Sequence, residues 1–217
     1  MNFDLITEHL TKYKEEGKTM FVTSSFQTHS IVLLHLISRI NPEIPIFFIN
    51  TGFLFPETIK YKDLIAKTFG LNIKDVKSVI PKSQQKDSYG NLLFASDPDY
   101  CCFLNKIQPL DPILAEYDVW INGVRAEQTE VRKAMRVEEK SKFGTVRFHP
   151  MLDWSKKEIY AYIRKYNLPK HPLDEQGYMS IGCEPCTRKV NLGDERSARW
   201  FGMNKTECGL NTDLVEK

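Results

Sequence analysis

The segment TMFVTSSFQTHSIVLLHLISRI, residues 19–40, determines the fold class predicted for this chain. It opens with a short apolar run that ends in small hydroxyl residues, which is typical of a buried strand. Apolar side chains then recur at helical spacing, at Ile31, Leu34, Ile37 and Ile40. The segment therefore predicts a buried strand that leads directly into an amphipathic helix.

The same strand-then-helix unit recurs along the chain. The apolar run IPIFFIN predicts a second strand, and PETIKYKDLIAKTFG predicts a helix in which Pro56 suits the first turn and Gly70 the end. Three further strands are predicted, over NIKDVKSVI, DVWINGV and TVRFHP. Helices are predicted over CFLNKIQPLDPILAEY and over WSKKEIYAYIRKYNLP, where Ser155 and Glu158 have capping-box spacing. This alternation predicts an α/β fold with a doubly wound, mostly parallel sheet.

The charged run RKAMRVEEKSKFG, residues 132–144, has no clear period and is interpreted as a mobile loop or an exposed helical turn. We expect residues 1–169 to form a nucleotide-binding α/β domain with an N-terminal helix. Residues 170–217 are rich in Pro, Gly and Cys, so a metal would hold them together better than a core. We expect this segment to pack on the same domain and to end in a mobile tail.

Composition excludes some classes of partner. Of the 217 residues, 41% are hydrophobic and 27% charged, as in ordinary globular proteins, and the formal net charge is only +2. So small a charge does not predict attraction to a nucleic acid or a membrane. No apolar run has the length of a signal peptide or a membrane span, so a cytoplasmic protein is expected.

The five cysteines form two pairs and a single residue. Cys183 and Cys186 have metal-ligand spacing, which suits a zinc half-site, a cluster half-site or a redox dithiol. The adjacent Cys101 and Cys102 fit zinc spacing badly, but they can reach two irons of one cubane. Together the pairs favour a 4Fe-4S cluster over zinc and over four cysteines buried as small hydrophobes. Cys208, near the C-terminus, is either an incidental surface thiol or a nucleophile that neighbouring cations activate.

Small or cationic residues follow three of the predicted strands. A parallel sheet brings such strand ends to one edge, where ligands bind. Hydroxyls and free N–H groups at a helix start can hold a phosphate or sulfate oxyanion, and an arginine fork can pair with one. The loop after the first strand lacks a Walker ending, which argues against a Mg-nucleotide hydrolase. The residues concerned are Ser24, Ser25, Phe26, Thr51, Gly52, Gly123 and Arg125.

Several motifs carry a family resemblance: SSFQTHS, NTGFLFPET, CCFLNKIQPL, GVRAEQ, LPKHPLDEQGYMSIGCEPCTRK and KTECGL. From about Met20 to Asn211 the chain resembles the assimilatory adenylylsulfate/phosphoadenylylsulfate reductases. The resemblance implies an adenine nucleotide alpha-hydrolase-like sheet, a 4Fe-4S cluster on the paired cysteines, and Cys208 as nucleophile. It implies an S-sulfonated cysteine that thioredoxin or glutaredoxin reduces. The basic positions that it implies for anion contacts are Lys106, Arg125, Arg132, Arg196 and Arg199.

The chain departs from the family pattern at three positions. Asn211 replaces a histidine, Asn50 stands where aspartate is common, and Asn105 where adenylylsulfate enzymes often have a basic residue. The SSFQTHS loop is closer to phosphoadenylylsulfate-specific members, but those lack the paired cysteines. We therefore expect reduction of adenosine 5′-phosphosulfate for sulfate assimilation and cysteine biosynthesis.

The alternatives are a reductase of the 3′-phosphorylated nucleotide or one of dual specificity. An iron–sulfur tRNA-thiolating enzyme and a non-enzymatic metal sensor are more distant alternatives. A homo-oligomer is compatible with the sequence.

Overall fold

The computed structural model describes residues 3–189, 198–203, 205, 207–212 and 214. In these residues a six-stranded sheet has the order β3-β2-β1-β4-β6-β5. Neighbouring strands are parallel except for β5, which pairs antiparallel with β6. The strands are β1 Met20–Thr23, β2 Ile46–Ile49, β3 Ile73–Val76, β4 Val119–Asn122, β5 Glu138–Lys140 and β6 Val146–Phe148. The five predicted strands and the mostly parallel doubly wound sheet are thereby confirmed.

The prediction of a loop or helical turn over residues 132–144 was wrong in its middle part, whereas Lys142–Gly144 at its end do form a helical turn. A short helix, Glu130–Lys133, runs into its start, and Glu138–Lys140 then forms the edge strand β5. This segment is charged because an edge strand buries few side chains. Its backbone pairs with the outer side of β6. Glu138 also accepts a hydrogen bond from the Tyr13 hydroxyl and lies 3.0 Å from His9 Nδ1, which fixes the strand against the N-terminal helix.

The helices are α1 Phe3–Glu15, α2 Ser30–Ile40, α3 Pro56–Phe69, α4 Leu93–Ser96, α5 Pro98–Cys102, α6 Asp111–Glu116, α7 Glu130–Lys133 and α8 Lys156–Lys165. Two predicted helix ends are confirmed. Gly70 adopts a left-handed conformation with φ 63°, where a side chain would be strained. Ser155 and Glu158 form the capping box of α8.

Side chains alternate between the two faces of the sheet with the period of two that strands impose. Val22 and Ile121 pack with residues of α1, α2 and α8 on one face. Phe21 and Trp120 point to the other face, where they pack with Ile107, Leu110, Leu114 and the tail residue Leu214. Leu214, with Leu210 packed against it, therefore contributes to the second core, on the face of the sheet that Trp120 occupies.

The described part of the 170–217 segment packs on the α/β domain. The His171 N–H donates to Thr28 Oγ1, Leu173 and Ile181 bury Phe55, and Cys183 forms a β-bridge with Leu54. The division into a nucleotide-binding domain and a cluster-binding segment stays a prediction. Among the helices of the described residues, none combines the length and apolar character needed to cross a bilayer.

Candidate active site

A cavity of about 200 Å³ lies at the carboxyl ends of the central strands. The chain passes outward from β1 through β2 to β3 and then returns to β4 on the other side of β1. This reversal separates the loops that follow β1 and β4, and it creates the crevice where doubly wound sheets bind ligands. The predicted site residues that line the cavity are Ser24, Ser25, Thr51, Lys106, Gly123, Arg132, Cys183, Arg199 and Cys208.

The loop after β1 brings its two serines to the cavity but turns Phe26 inward. Phe26 has a positive φ of 53°, which is strained for a bulky residue. Its ring is fully buried, 5.4 Å from the ring centroid of Phe48, and its N–H donates to Ser24 Oγ at 3.1 Å. Phe26 therefore anchors the loop on the core side, and Ser24 and Ser25 face the cavity.

The turn after β2 contributes Thr51 to the cavity, whereas Gly52 shapes the backbone. Gly52 has φ 73°, and its carbonyl accepts a hydrogen bond of 2.7 Å from Lys82 Nζ. Asn50 supports the turn by accepting from the Gly52 N–H at 3.2 Å and donating to Asp75 at 3.0 Å. The amide at position 50 thus has a structural role that an aspartate could fill only in part, because aspartate lacks the donor.

The predicted arginines have different environments. Arg125 does not line the cavity: it is buried, forms an ion pair with Glu127, and lies 3.1 Å from His29 Nδ1 through Nη2. Arg199 does line it, with its guanidinium 4.5 Å from the Trp200 ring centroid. Arg196 lies outside the described residues.

Arg132 lines the cavity and also holds the C-terminal tail. Its Nε and Nη2 each donate to a carboxylate oxygen of Glu207 at 2.9 Å, which is a bidentate pair. Glu207 is buried, accepts from Thr129 Oγ1 at 3.0 Å, and accepts from the Cys208 N–H at 2.8 Å. The residue directly before Cys208 is therefore fixed to the wall of the cavity.

A second arginine, Arg147 on β6, holds the residues that follow Cys208. Its Nη1 donates to the Leu210 carbonyl at 3.0 Å, and its Nη2 donates to Asn211 Oδ1 at 2.5 Å. The guanidinium is fully buried and stacks 4.3 Å from the Trp120 ring centroid. Sequence analysis missed Arg147, because strand alternation alone does not tell an arginine that faces a cavity from one that faces solvent.

Lys106 lies next to the thiol, with Nζ 3.6 Å from Cys208 Sγ. It lies in a π-helical turn, Phe103–Ile107, which continues α5; such turns often mark functional sites. Burial by itself would raise the pKa of Cys208, but Lys106, the Leu210 N–H and then Arg199 outweigh it. The pKa of Cys208 is therefore lowered, and a larger share of the thiol is nucleophilic thiolate. Lys205, three residues before the thiol, pairs with Asp99.

The four paired cysteines surround a second, smaller cavity next to the first. Cys101, Cys102, Cys183 and Cys186 line it together with apolar groups such as Phe53 and Phe94. Burial raises the pKa of Cys101 to about 12 and that of Cys186 to about 11, and the neighbouring thiols add to both shifts. Within the described ranges no three such side chains are arranged to chelate one metal ion. Thr51, Lys106 and Cys183 line both cavities, so the two sites share a wall.

Comparison with protein families and known proteins identifies close relatives of this chain. Residues 19–189 match the model of the phosphoadenosine phosphosulfate reductase domain. An adenosine 5′-phosphosulfate reductase from Halalkalibacterium halodurans is 38% identical over 92% of this chain and 87% of its own. A phosphoadenosine 5′-phosphosulfate reductase from Gloeobacter violaceus is 40% identical over 90% of this chain and 83% of its own.

Solved structures give the same result at the level of the fold. A phosphoadenylyl-sulfate reductase from Candida auris in complex with phosphate has a TM-score of 0.68 and 25% identity, over 85% of this chain and 89% of its own. An FMN adenylyltransferase from Candida glabrata in complex with FMN and an ATP analogue has a TM-score of 0.62, covering 100% of this chain and 71% of its own. Its identity of 14% supports a shared fold alone.

Proposed function

This chain belongs to the phosphoadenosine phosphosulfate reductase family, and we propose that it reduces adenosine 5′-phosphosulfate to sulfite and AMP in sulfate assimilation, a step toward cysteine biosynthesis. The observation that carries the proposal is Cys208, a thiol held against Lys106 in a cavity at the β1–β4 reversal. Transfer of a sulfonyl group from a nucleotide to a cysteine requires a thiolate beside a crevice that can bind the nucleotide, and Cys208 has this position. The 3′-phosphorylated nucleotide is the second candidate, because relatives named for each substrate resemble this chain about equally.

In the first step the Cys208 thiolate attacks the sulfur atom of the sulfonyl group. A sulfur–sulfur bond forms, the bond from that sulfur to the bridging oxygen breaks, and AMP leaves with the electron pair. The product on the protein is an S-sulfonated cysteine. The attack brings a thiolate toward an anion, so cations must offset the repulsion, and Lys106 and Arg199 line the cavity where this charge develops.

In the second step a dithiol protein of the thioredoxin or glutaredoxin type supplies two electrons. One of its thiolates attacks the Cys208 sulfur, and sulfite leaves with the electron pair of the broken sulfur–sulfur bond. The second thiol of the reductant resolves the mixed disulfide, which regenerates Cys208 and leaves the reductant oxidised. Such dithiols are kept reduced in the cytoplasm, where we place the reaction.

Four cysteines, Cys101, Cys102, Cys183 and Cys186, would hold a 4Fe-4S cluster. They fit it because all four cysteines line one small cavity, and four cysteine thiolates are the usual ligand set of such a cluster. Asn105 Nδ2 lies 3.6 Å from Cys101 Sγ and Thr51 Oγ1 lies 3.3 Å from Cys183 Sγ, contacts that tune cluster ligands. When bound, the cluster would order this wall and set its charge.

Substitution of the nucleophile tests the proposal. Anaerobic wild-type protein, incubated with adenosine 5′-phosphosulfate and no reductant, should gain the mass of one SO3 unit on Cys208. Cys208→Ser should form no adduct and no sulfite, and it should retain the absorbance of the cluster and the affinity for AMP, which serve as its internal controls. Sulfite formation by Cys208→Ser at the wild-type rate would refute the proposed mechanism. Bound iron without any turnover of either nucleotide would favour a metal sensor.

A further inference from the structure

Arg147 has hydrogen-bond partners that all belong to the tail. In the described part of the chain it forms no ion pair, although its side chain is only 1% exposed. A buried cation is costly unless hydrogen bonds and polarisable groups satisfy it. The recorded partners are the Leu210 carbonyl, the Asn211 side chain and the face of Trp120. A strand residue thus keeps a buried charge whose hydrogen bonds depend on the tail being docked.

The side chain of Asn211 suits its place between Arg147 and Glu207. Its Oδ1 accepts from Arg147, and its Nδ2 donates to Glu207 Oε1 at 3.1 Å. A side-chain amide is suited to a place between a cation and a carboxylate, because it offers an acceptor to one and a donor to the other. Arg147, Asn211, Glu207 and Arg132 therefore form one continuous polar network.

The network encloses the nucleophile. Glu207 Oε1 accepts from both the Asn211 side chain and the Cys208 N–H. Arg132 holds the residue before Cys208, and Arg147 holds the two residues at positions 210 and 211. Arg132 and Arg147 both belong to the α/β domain. The backbone on either side of the thiol is therefore fixed to the cavity wall.

From this geometry, and resting on the proposed function, we infer that Arg147 and Asn211 are positioning residues that act as a pair to hold Cys208 in place for attack on the sulfonyl group. Both residues line the cavity, but their recorded hydrogen bonds go to each other, to the Leu210 carbonyl and to Glu207 rather than to the thiol. They act through the tail, so their loss should slow formation of the adduct and leave nucleotide binding to the strand-end loops intact.

The test compares Arg147→Met, Asn211→Leu, the double variant and the exposed control Arg164→Met in single turnover. Each protein is mixed anaerobically with saturating adenosine 5′-phosphosulfate, and the Cys208 adduct is followed by mass. We expect each single variant to form the adduct about ten- to a hundredfold more slowly, as loss of a hydrogen bond to a charged group predicts. The double variant should lose clearly less than the product of the two single losses, because both single variants break the Arg147–Asn211 hydrogen bond. The Kd for AMP should stay at the wild-type value in every variant. Arg164→Met should form the adduct at the wild-type rate.

Several outcomes would overturn the inference. These are wild-type adduct rates in both single variants, additive losses in the double variant, or parallel losses of rate and AMP affinity. If Arg147→Met does not fold, Asn211→Leu decides alone, since it changes only the tail. Absence of any adduct in the wild-type protein would overturn the proposed function itself, which separates the two failures.

Discussion

Replacing Lys106 by methionine should raise the pKa of Cys208 and thereby suppress its reactivity at neutral pH. The Lys106 ammonium lies 3.6 Å from Cys208 Sγ, and unit charges at that separation interact by about 1 to 5 kcal/mol between the limits of bulk water and an effective dielectric of 20. This energy corresponds to a pKa rise of about one to three units. The sign follows from the favourable cation–thiolate contact: without it, only the Leu210 N–H and Arg199 oppose burial, and burial disfavours the thiolate.

The assay is the rate of iodoacetamide alkylation of Cys208 as a function of pH, with no nucleotide present. The midpoint of the profile should move to higher pH in Lys106→Met, and the plateau rate at high pH should be retained. Lys106→Arg keeps the charge and should shift the midpoint much less. Lys12→Met is a matched control, because that ammonium is exposed on α1 and pairs with Glu16. A midpoint in Lys106→Met within about half a unit of wild type would show that the 3.6 Å contact does not set the pKa.

Three further predictions concern the walls and the tail of the cavity. Gly182→Ala would place a Cβ against the guanidinium of Arg199, which must then move. We expect adduct formation to slow several-fold at an unchanged Tm. An unchanged rate would show that Arg199 does not act on the thiol. Leu214→Ala removes a fully buried side chain, which typically costs about 2–5 kcal/mol, and it should expose Cys208 to faster alkylation with little loss of AMP affinity. Equal protection of the thiol in both proteins would contradict the docking of the tail through Leu214. Oxidative removal of iron followed by chelation should make the four paired cysteines newly open to alkylation, counted by mass; full reactivity before removal would argue against a cluster.

The sequence predicted those parts of the fold that repeat. Apolar runs and helical spacing identified the parallel strands, and the turn residues Pro56 and Gly70 identified a helix with both its ends. The edge strand over Glu138–Lys140 was missed because an edge position lacks the apolar alternation that marks a half-buried strand. Its strand character comes from pairing with β6, which is a tertiary contact.

The candidate site was predictable in composition and less so in orientation. Strand-end residues such as Ser24, Thr51 and Gly123 do meet at one cavity, as parallel topology requires. Arg125 also follows a strand, but Glu127 holds its guanidinium and it does not line the cavity. The choice between two such orientations depends on partners that only the folded chain brings together. The same limit hid Arg147, whose partners are more than sixty residues away in the tail.

The antiparallel edge strand β5 has a consequence for self-association. At high protein concentration an open sheet edge invites another chain to add a strand, and charged residues are a common defence. Here the outermost strand is three residues long and carries two glutamates and a lysine, so strand addition at this side would bring charges into close contact. Because β5 lies outside it, β6 with its buried Arg147 is an interior strand. Its register cannot slip without breaking the pairing with both β4 and β5. A homodimer of this protein is therefore expected to avoid the β5 edge and to use another surface.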